Sequence, residues 1–474
     1  MPSFIYQREA EVLAKSINNG QLKQGDRLLS VRDFARERKV GISTAAKIYE
    51  HLQRQQLIEA RPRSGYYVCA RQQSTAQQNF GDKLIPSELI SMPLHKAVQY
   101  SFNDADIVPL SCTGPSTVLD NEALLTRAQK RVRRQRPFKL LQDNREAGID
   151  SLRQEIATHY ALSQQLINPA EVVITHGRSS ALTLALKGLG LSEHKVAVES
   201  PSSFFILAHL HHSAQAYVGV PIQPDFETEL ALLEQARQEH DIRAYIFNPN
   251  YQDPTGRLLS EQQKRALLAW AQRHDVALIE YDRGELSFSE FRPPSIASLL
   301  DEDSSLAVIS ICDYSDTLSF ALTLGYMLCR NCAADIILTK SVLSEASDIA
   351  SQELVTHLYR SGDYRRLTRR LRAQLLRQYQ QVDEIFNHFG VAHLYQDIGG
   401  GPSLWFELPQ GGCSDELWQR LITRRIAIAP GELFMPQIDY ARFFRMTFAL
   451  PWDKTMAQAV HTLAQQLSSY IHEL

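Results

Sequence analysis

ICDYSDTLSFALTLG, residues 311–325, follows directly on the apolar run Leu306-Ala307-Val308-Ile309-Ser310. A short apolar run bounded by turn-forming residues reads as a buried strand. Here it passes straight into a small polar loop, Ser315-Asp316-Thr317, and then into an apolar segment ending at Gly325-Tyr326. Upstream the same unit recurs. Val172-Val173-Ile174 precedes Thr175-His176-Gly177 and an alanine-rich helix from Ser180 to Leu189, and Val196-Ala197-Val198 precedes Glu199-Ser200-Pro201. Ala244-Tyr245-Ile246-Phe247 precedes Asn248-Pro249, and Val276-Ala277-Leu278-Ile279 precedes Glu280-Tyr281-Asp282. This β/α succession predicts an α/β large domain over 91–474, with a ligand site in the loops at the strand ends.

The chain has 474 residues, 44% hydrophobic and 22% charged, which suits a globular protein of two or three domains. Its N-terminus, MPSFIYQREAEVLAKS, is amphipathic and charged, so no signal peptide is expected. No apolar run is long enough to span a bilayer. The six cysteines are scattered, and Cys329-Arg-Asn-Cys332 is a lone CxxC without a second pair. The expectation is therefore reduced thiols, no metal and a cytoplasmic location. Residues 1–72 carry 13 Lys and Arg against 7 Asp and Glu, an excess of six positive charges in a chain of net charge −3. The remainder is thus acidic by nine charges. A basic head on an acidic body suggests a DNA-binding module joined to a sensor or enzyme domain.

The head carries a pattern as well as a charge. Ile5, Val12, Leu13 and Ile17 share one helical face, and Asn18-Asn19-Gly20 ends that helix. Ser30 is a plausible N-cap for Val31, Phe34 and Ala35. A turn at Val40-Gly41 leads to Ala45, Ile48, Tyr49 and Leu52 at helical spacing, leaving Ser43, Thr44, Lys47 and His51 on the outer side. Two β-like runs, Leu57–Glu59 and Tyr66–Val68, flank Arg61-Pro62-Arg63-Ser64-Gly65. Helix, helix–turn–helix and a basic two-stranded ribbon predict a winged helix-turn-helix over 1–70. A polar connector follows over 71–90. The basic run Arg127–Arg136 reads either as a DNA contact or, preferably, as the solvated face of an early helix of the large domain.

The stretch GDRLLSVRDFARERKVGISTAAKIYEHLQRQQLIEARPRSGYYV, 25–68, resembles the DNA-binding domain of GntR-family transcription regulators. The resemblance implies Ser43, Thr44 and Lys47 at the major groove, Arg32 on phosphate or a base edge, and Arg61, Arg63 and Gly65 in the wing. Leu29, Gly41 and Ile42 depart from the family's usual proline, serine and arginine, so the operator does not carry over from relatives. The body resembles class I/II aminotransferases, the pyridoxal-phosphate fold type I with a small C-terminal α+β part. ITHGRSSAL, VAVESP, DPTG, RRLTRRLRAQL, GGGPSLWFELP, IAIAPGELF and RMTFALP appear in the family's order. Head and body together resemble the MocR-type subgroup of GntR regulators.

Against that family the cofactor positions are altered. Asp316 stands where relatives carry the lysine that forms the Schiff base, and Thr323 where they carry the arginine that holds the phosphate. No lysine occurs from 311 to 330. Ser203 replaces a stacking aromatic ring, and Asp253 replaces an asparagine that donates to the cofactor's phenolic oxygen. The aspartate expected beside the pyridine nitrogen is matched by Tyr281, or by Asp282 or Glu280 if the gap falls elsewhere, and a tyrosine by Arg283. Gly177, Arg178 and Ser179 open a helix whose N–H groups suit an anion, and Tyr251 and Ser315 complete the expected pocket. Arg445 matches the family's arginine for a substrate carboxylate.

The expected function is a regulator that binds double-stranded DNA as a homodimer and senses a small acidic or amino-acid-like effector without transamination. No covalent cofactor is expected; the alternative is non-covalent pyridoxal phosphate, or a residual aminotransferase. Arg178, Arg283 and Arg445 form either a basic ligand pocket or structural ion pairs with neighbours such as Asp253 and Asp316.

Overall fold

Ser30 accepts the Asp33 N–H at 3.2 Å and so starts the helix Val31–Glu37, the N-cap expected from sequence. The helix Ile42–Arg54 follows, and then β1 (Ile58–Arg61) pairs antiparallel with β2 (Gly65–Val68), Ile58 opposite Val68. Gly65 holds φ +105°, a backbone state closed to most side chains, where the ribbon turns back. Phe34, Ala45, Ile48, Leu52 and Val68 are buried together. Tyr49 lies edge-on to Phe34 (5.3 Å) and Tyr66 (4.9 Å), and its hydroxyl donates to the Leu29 carbonyl at 2.9 Å. Tyr49→Phe is expected to cost this unit about 1 kcal/mol, the net value of one such bond. An unchanged denaturation midpoint would show that the bond does not hold Leu29 against the second helix.

These coordinates come from a computed structural model that describes residues 10, 13, 16–17, 22, 25–54, 57–61, 64–68, 86–112, 114–135, 146–343, 347–395, 398–435 and 440–473. The chain divides into two compact units, Met1–Asp82 and Lys83–Leu474. The connector expected over 71–90 ends earlier, because Pro86–Ser91 is a helix with Leu89 buried in the second unit. Residues 83–92, KLIPSELISM, are half apolar, unlike the polar run 71–82, and so can dock on a core.

The second unit is built on seven strands: β3 (Val172–Thr175), β4 (Val196–Ser200), β5 (Tyr217–Pro221), β6 (Ala244–Phe247), β7 (Ala277–Tyr281), β8 (Val308–Asp313) and β9 (Gly325–Arg330). Their order is β3-β9-β8-β7-β6-β4-β5, with only β9 antiparallel to its neighbours. The inner strands are buried at nearly every position, as expected of a sheet covered on both faces. β9 returns close against β8: a Cβ on Gly325 would lie 2.7 Å from the Cys312 carbonyl oxygen. A second, three-stranded antiparallel sheet holds β10 (Ser403–Glu407), β11 (Ala429–Pro430) and β12 (Phe443–Thr447) in the order β10-β12-β11. The basic run from Arg127 lies on the helix Glu122–Gln135, which buries Ala128 and Val132 and exposes Arg127, Lys130, Arg131 and Arg133. Arg136 lies outside the described residues. Among the described residues no helix is long and apolar enough to cross a membrane, and no cluster of metal-ligating side chains occurs.

Candidate functional site

The parallel registers of β4, β6, β7 and β8 bring their C-terminal ends to one edge of the sheet. The chain leaves that edge through Ser203, through Asn248–Asp253, through Asp282-Arg283 and through Ser315-Asp316. β3 ends beside them and opens the helix Gly177–Gly188. Residues far apart in the chain thus meet where an open α/β sheet offers a crevice.

What they make there is a set of closed pairs. Arg445 Nη1 donates to Asp253 Oδ1 at 2.6 Å, and Ser203 Oγ donates to Asp253 Oδ2 at 2.8 Å. The other Arg445 terminal nitrogen donates to the Ser111 carbonyl, and the guanidinium lies 4.9 Å over the Phe434 ring. Burial alone would push the Asp253 carboxyl up; Arg445, then Arg283, outweigh it and hold the pKa below the ordinary value. Arg283 Nε lies 3.5 Å from Asp316 Oδ2, with both side chains at most 9% exposed. Arg178 donates to the Tyr281 hydroxyl at 3.4 Å and lies 4.7 Å over Phe205. Tyr281 keeps Arg178 firmly protonated, while burial pushes the Tyr281 phenol up. The basic pocket expected of Arg178, Arg283 and Arg445 is therefore not open: each guanidinium is engaged inside the chain. Desolvation is the reason for Arg283 and Arg445, since a buried arginine without a partner is far more costly than one held by a carboxylate, whereas Arg178 has only a phenol and a ring.

Asp313, which the family pattern does not single out, sits at the centre. Its Oδ2 accepts the Arg178 N–H at 3.0 Å and its Oδ1 the Ser315 N–H at 2.8 Å. The anion-binding end of the Gly177 helix is thus filled by a side chain of the same protein. The signal in the sequence is an aspartate ending a strand three residues before Asp316, beside a helix led by glycine.

Other expected positions lie apart. Ser179 is exposed, its hydroxyl 3.5 Å from His209 Nδ1, and Thr323 is exposed as well. Asp282 is turned into the protein, accepting from Asn250 Nδ2 (2.9 Å) and the Gly284 N–H (2.8 Å) and pairing with Arg292. Glu280 lies on the same side of β7, accepting the Ser310 hydroxyl, so of the three alternatives only Tyr281 faces Arg178. Tyr251 takes φ +60° with its ring buried against Gly400. The cavity bounded by Asp282, Arg283, Cys312, Asp313 and Asp316 measures about 20 Å³, room for one water. In the first unit Arg32, Ser43 and Gly65 are exposed, as is the Lys47 position, and Thr44 is half-buried. Arg61 lies on β1, and Arg63 falls outside the described residues.

A profile of aminotransferase class I and II matches residues 112–463. The chain belongs to that family. It is also similar along nearly its whole length to two HTH-type transcriptional regulators of Escherichia coli. YdcR is 30% identical over 97% of this chain and 98% of its own length, and YjiR is 28% identical over the same shares. Head and body have the arrangement of MocR-type regulators. The fold of the body is shared with LysN, an α-aminoadipate aminotransferase of Thermus thermophilus, at a TM-score of 0.70 and 22% identity over 82% of this chain and 98% of that one. That structure holds N-(5'-phosphopyridoxyl)-L-leucine.

The residues present here do not fit the pyridoxal phosphate that the family implies. The stretch 311–330 has no lysine. A carboxylate already occupies the helix N-terminus, Arg445 is hydrogen-bonded to Asp253, Arg178 is turned to the Tyr281 hydroxyl, and Arg283 Nε faces Asp316 as an ion pair without a hydrogen bond.

Proposed function

We propose that the protein is a sequence-specific DNA-binding transcription regulator, a winged helix on a dimerising aminotransferase-like body that performs no transamination. The observation that carries this is the helix Ile42–Arg54. It buries Ala45, Ile48 and Leu52 and turns Ser43 and Lys47 outward, in a chain similar from end to end to HTH-type regulators. An exposed polar face on a second helix, followed by a ribbon, is the geometry of major-groove reading. A two-fold dimer presents two such helices to two half-sites. Within the body, an acidic or amino-acid-like effector would reach Arg445 by displacing Asp253. That exchange would change the body's internal bonding, and a ligand acts only through such unequal affinity for two states.

The test is a gel-shift panel of the full chain on intergenic DNA neighbouring its gene, over a range of salt. Expected is a retarded complex whose log affinity falls linearly with log salt. Lys47→Ala and Arg32→Ala are expected to weaken it and to flatten the slope by roughly 0.9 for each phosphate no longer neutralised. No specific complex on any fragment at low salt would end the regulator reading.

A further inference from the structure

We propose that Asp313 is a resident anion, a carboxylate that takes the place of a ligand's phosphate at the N-terminus of the helix Gly177–Gly188, so that the body excludes phosphorylated ligands. The inference deepens the proposed reading of the body but does not depend on DNA binding.

The first turn of any helix leaves N–H groups without an intrahelical partner, and these attract anions. Here Asp313 Oδ2 takes the Arg178 N–H at 3.0 Å. The same oxygen lies against the Gly177 backbone, 3.4 Å from where a Cβ would stand. The carboxylate is held in place from its own side, since Oδ1 accepts the Ser315 N–H at 2.8 Å in a turn that Ser315 and Asp316 complete. Asp313 is therefore anchored, and does not swing freely into and out of the position.

A phosphate brought to the same N–H would face two carboxylates, Asp313 and Asp316, whose mutual repulsion already contributes, after burial, to pushing Asp313 up. The cations that would offset this are committed. Arg178 reaches Tyr281 and Phe205, and Arg283 pairs with Asp316. A group carrying close to two negative charges is thus placed against like charge, with the Arg178 side chain turned to a phenol and a ring and Arg283 facing Asp316.

The experiment is a thermal-unfolding titration of the full chain with inorganic phosphate and, separately, pyridoxal phosphate, with sodium chloride at matched ionic strength as control. A ligand that binds only the folded state raises the midpoint. The wild-type midpoint is expected not to move beyond the control. Asp313→Ser keeps an acceptor for the Ser315 N–H and removes the charge. It is expected to gain a saturable rise with phosphate, its dissociation constant lower than wild type by about tenfold or more, the scale of one charge-assisted hydrogen bond regained. A wild-type chain stabilised saturably by either compound overturns the proposal, and so does a folded Asp313→Ser that stays unresponsive. If that variant does not fold, the isosteric Asp313→Asn decides, with a smaller gain expected and its absence overturning. Gel shifts on the same samples keep the readings separate: phosphate binding by a chain that still retards DNA removes the resident anion and leaves the regulator.

Discussion

Arg292→Ala is expected to destabilise the body by about 3–5 kcal/mol, the usual cost of leaving a buried charge without its partner. The Arg292 side chain is 1% exposed and lies against Asp282, which is fully buried; it also reaches Glu285 at 3.2 Å and stacks 4.0 Å from the Tyr160 ring. Its loss would leave Asp282 with the Asn250 amide, the Gly284 N–H and the weak Cys312 thiol donor, and no cation in contact. Glu285 would keep Arg372 (2.8 Å) and His159 (2.9 Å), so the damage centres on Asp282. The contrast is Arg265→Ala, whose partner Glu261 lies on the same helix with both side chains more than half exposed. That change is expected to move stability by less than about 1 kcal/mol. Denaturant midpoints of the two variants decide, and equal small losses would show that the ion-pair network beneath the site carries no stability. Acid gives the same answer from another side. Burial would raise Glu285, but His159, Arg292 and Arg372 hold it far below the ordinary range. A depressed carboxylate contributes stability above its unfolded pKa and loses it as pH falls towards the folded one. The wild type should therefore weaken as pH drops below the usual carboxylate value, and Glu285→Gln should weaken less steeply.

This network also shows where sequence stops being legible. β3, β4, β6, β7 and β8 are readable because strands buried on both faces spell short, largely apolar runs. β5 escapes the sequence reading: at the sheet edge it alternates buried and half-buried positions, and YVGVP carries a glycine and a proline that look like a turn. β9 merges with the tail of the polar loop because GYMLCR continues an apolar segment without a break. The departures from a family pattern that the sequence suggests at 316, 323, 253 and 203 are visible because that pattern fixes what to look for. Their consequences are not. Whether Arg445 waits for a ligand or holds Asp253 depends on a contact across 192 residues, and both readings stand open until the fold closes one. Asp313 is hidden for the same reason, since only the third dimension turns a strand-end carboxylate towards a helix N-terminus.

Asp316→Lys is the variant that would naively restore an enzyme, and it is expected to do the opposite. Arg283 is 3% exposed and pairs with Asp316 at 3.5 Å. Asp316→Asn removes that charge and should cost roughly 3–5 kcal/mol, as for any half-broken buried pair. Lysine adds a second cation at the same place, so the loss should be larger, or the new ammonium should shed its proton to escape the repulsion. Neither outcome rebuilds catalysis. Asp313 would still hold the Gly177 helix, and Asp253 would still be bonded to Arg445 and Ser203. The measurements are the denaturation midpoint, turnover over a panel of amino acids with added pyridoxal phosphate, and borohydride trapping read by peptide mass. A stable Asp316→Lys chain that traps the label at position 316 and turns over substrate would mean the site had lost one residue and kept its chemistry. A destabilised and inactive chain would mean that the surrounding pairs hold Asp316 as part of the fold, and would support the proposed reading of the body as one that performs no transamination.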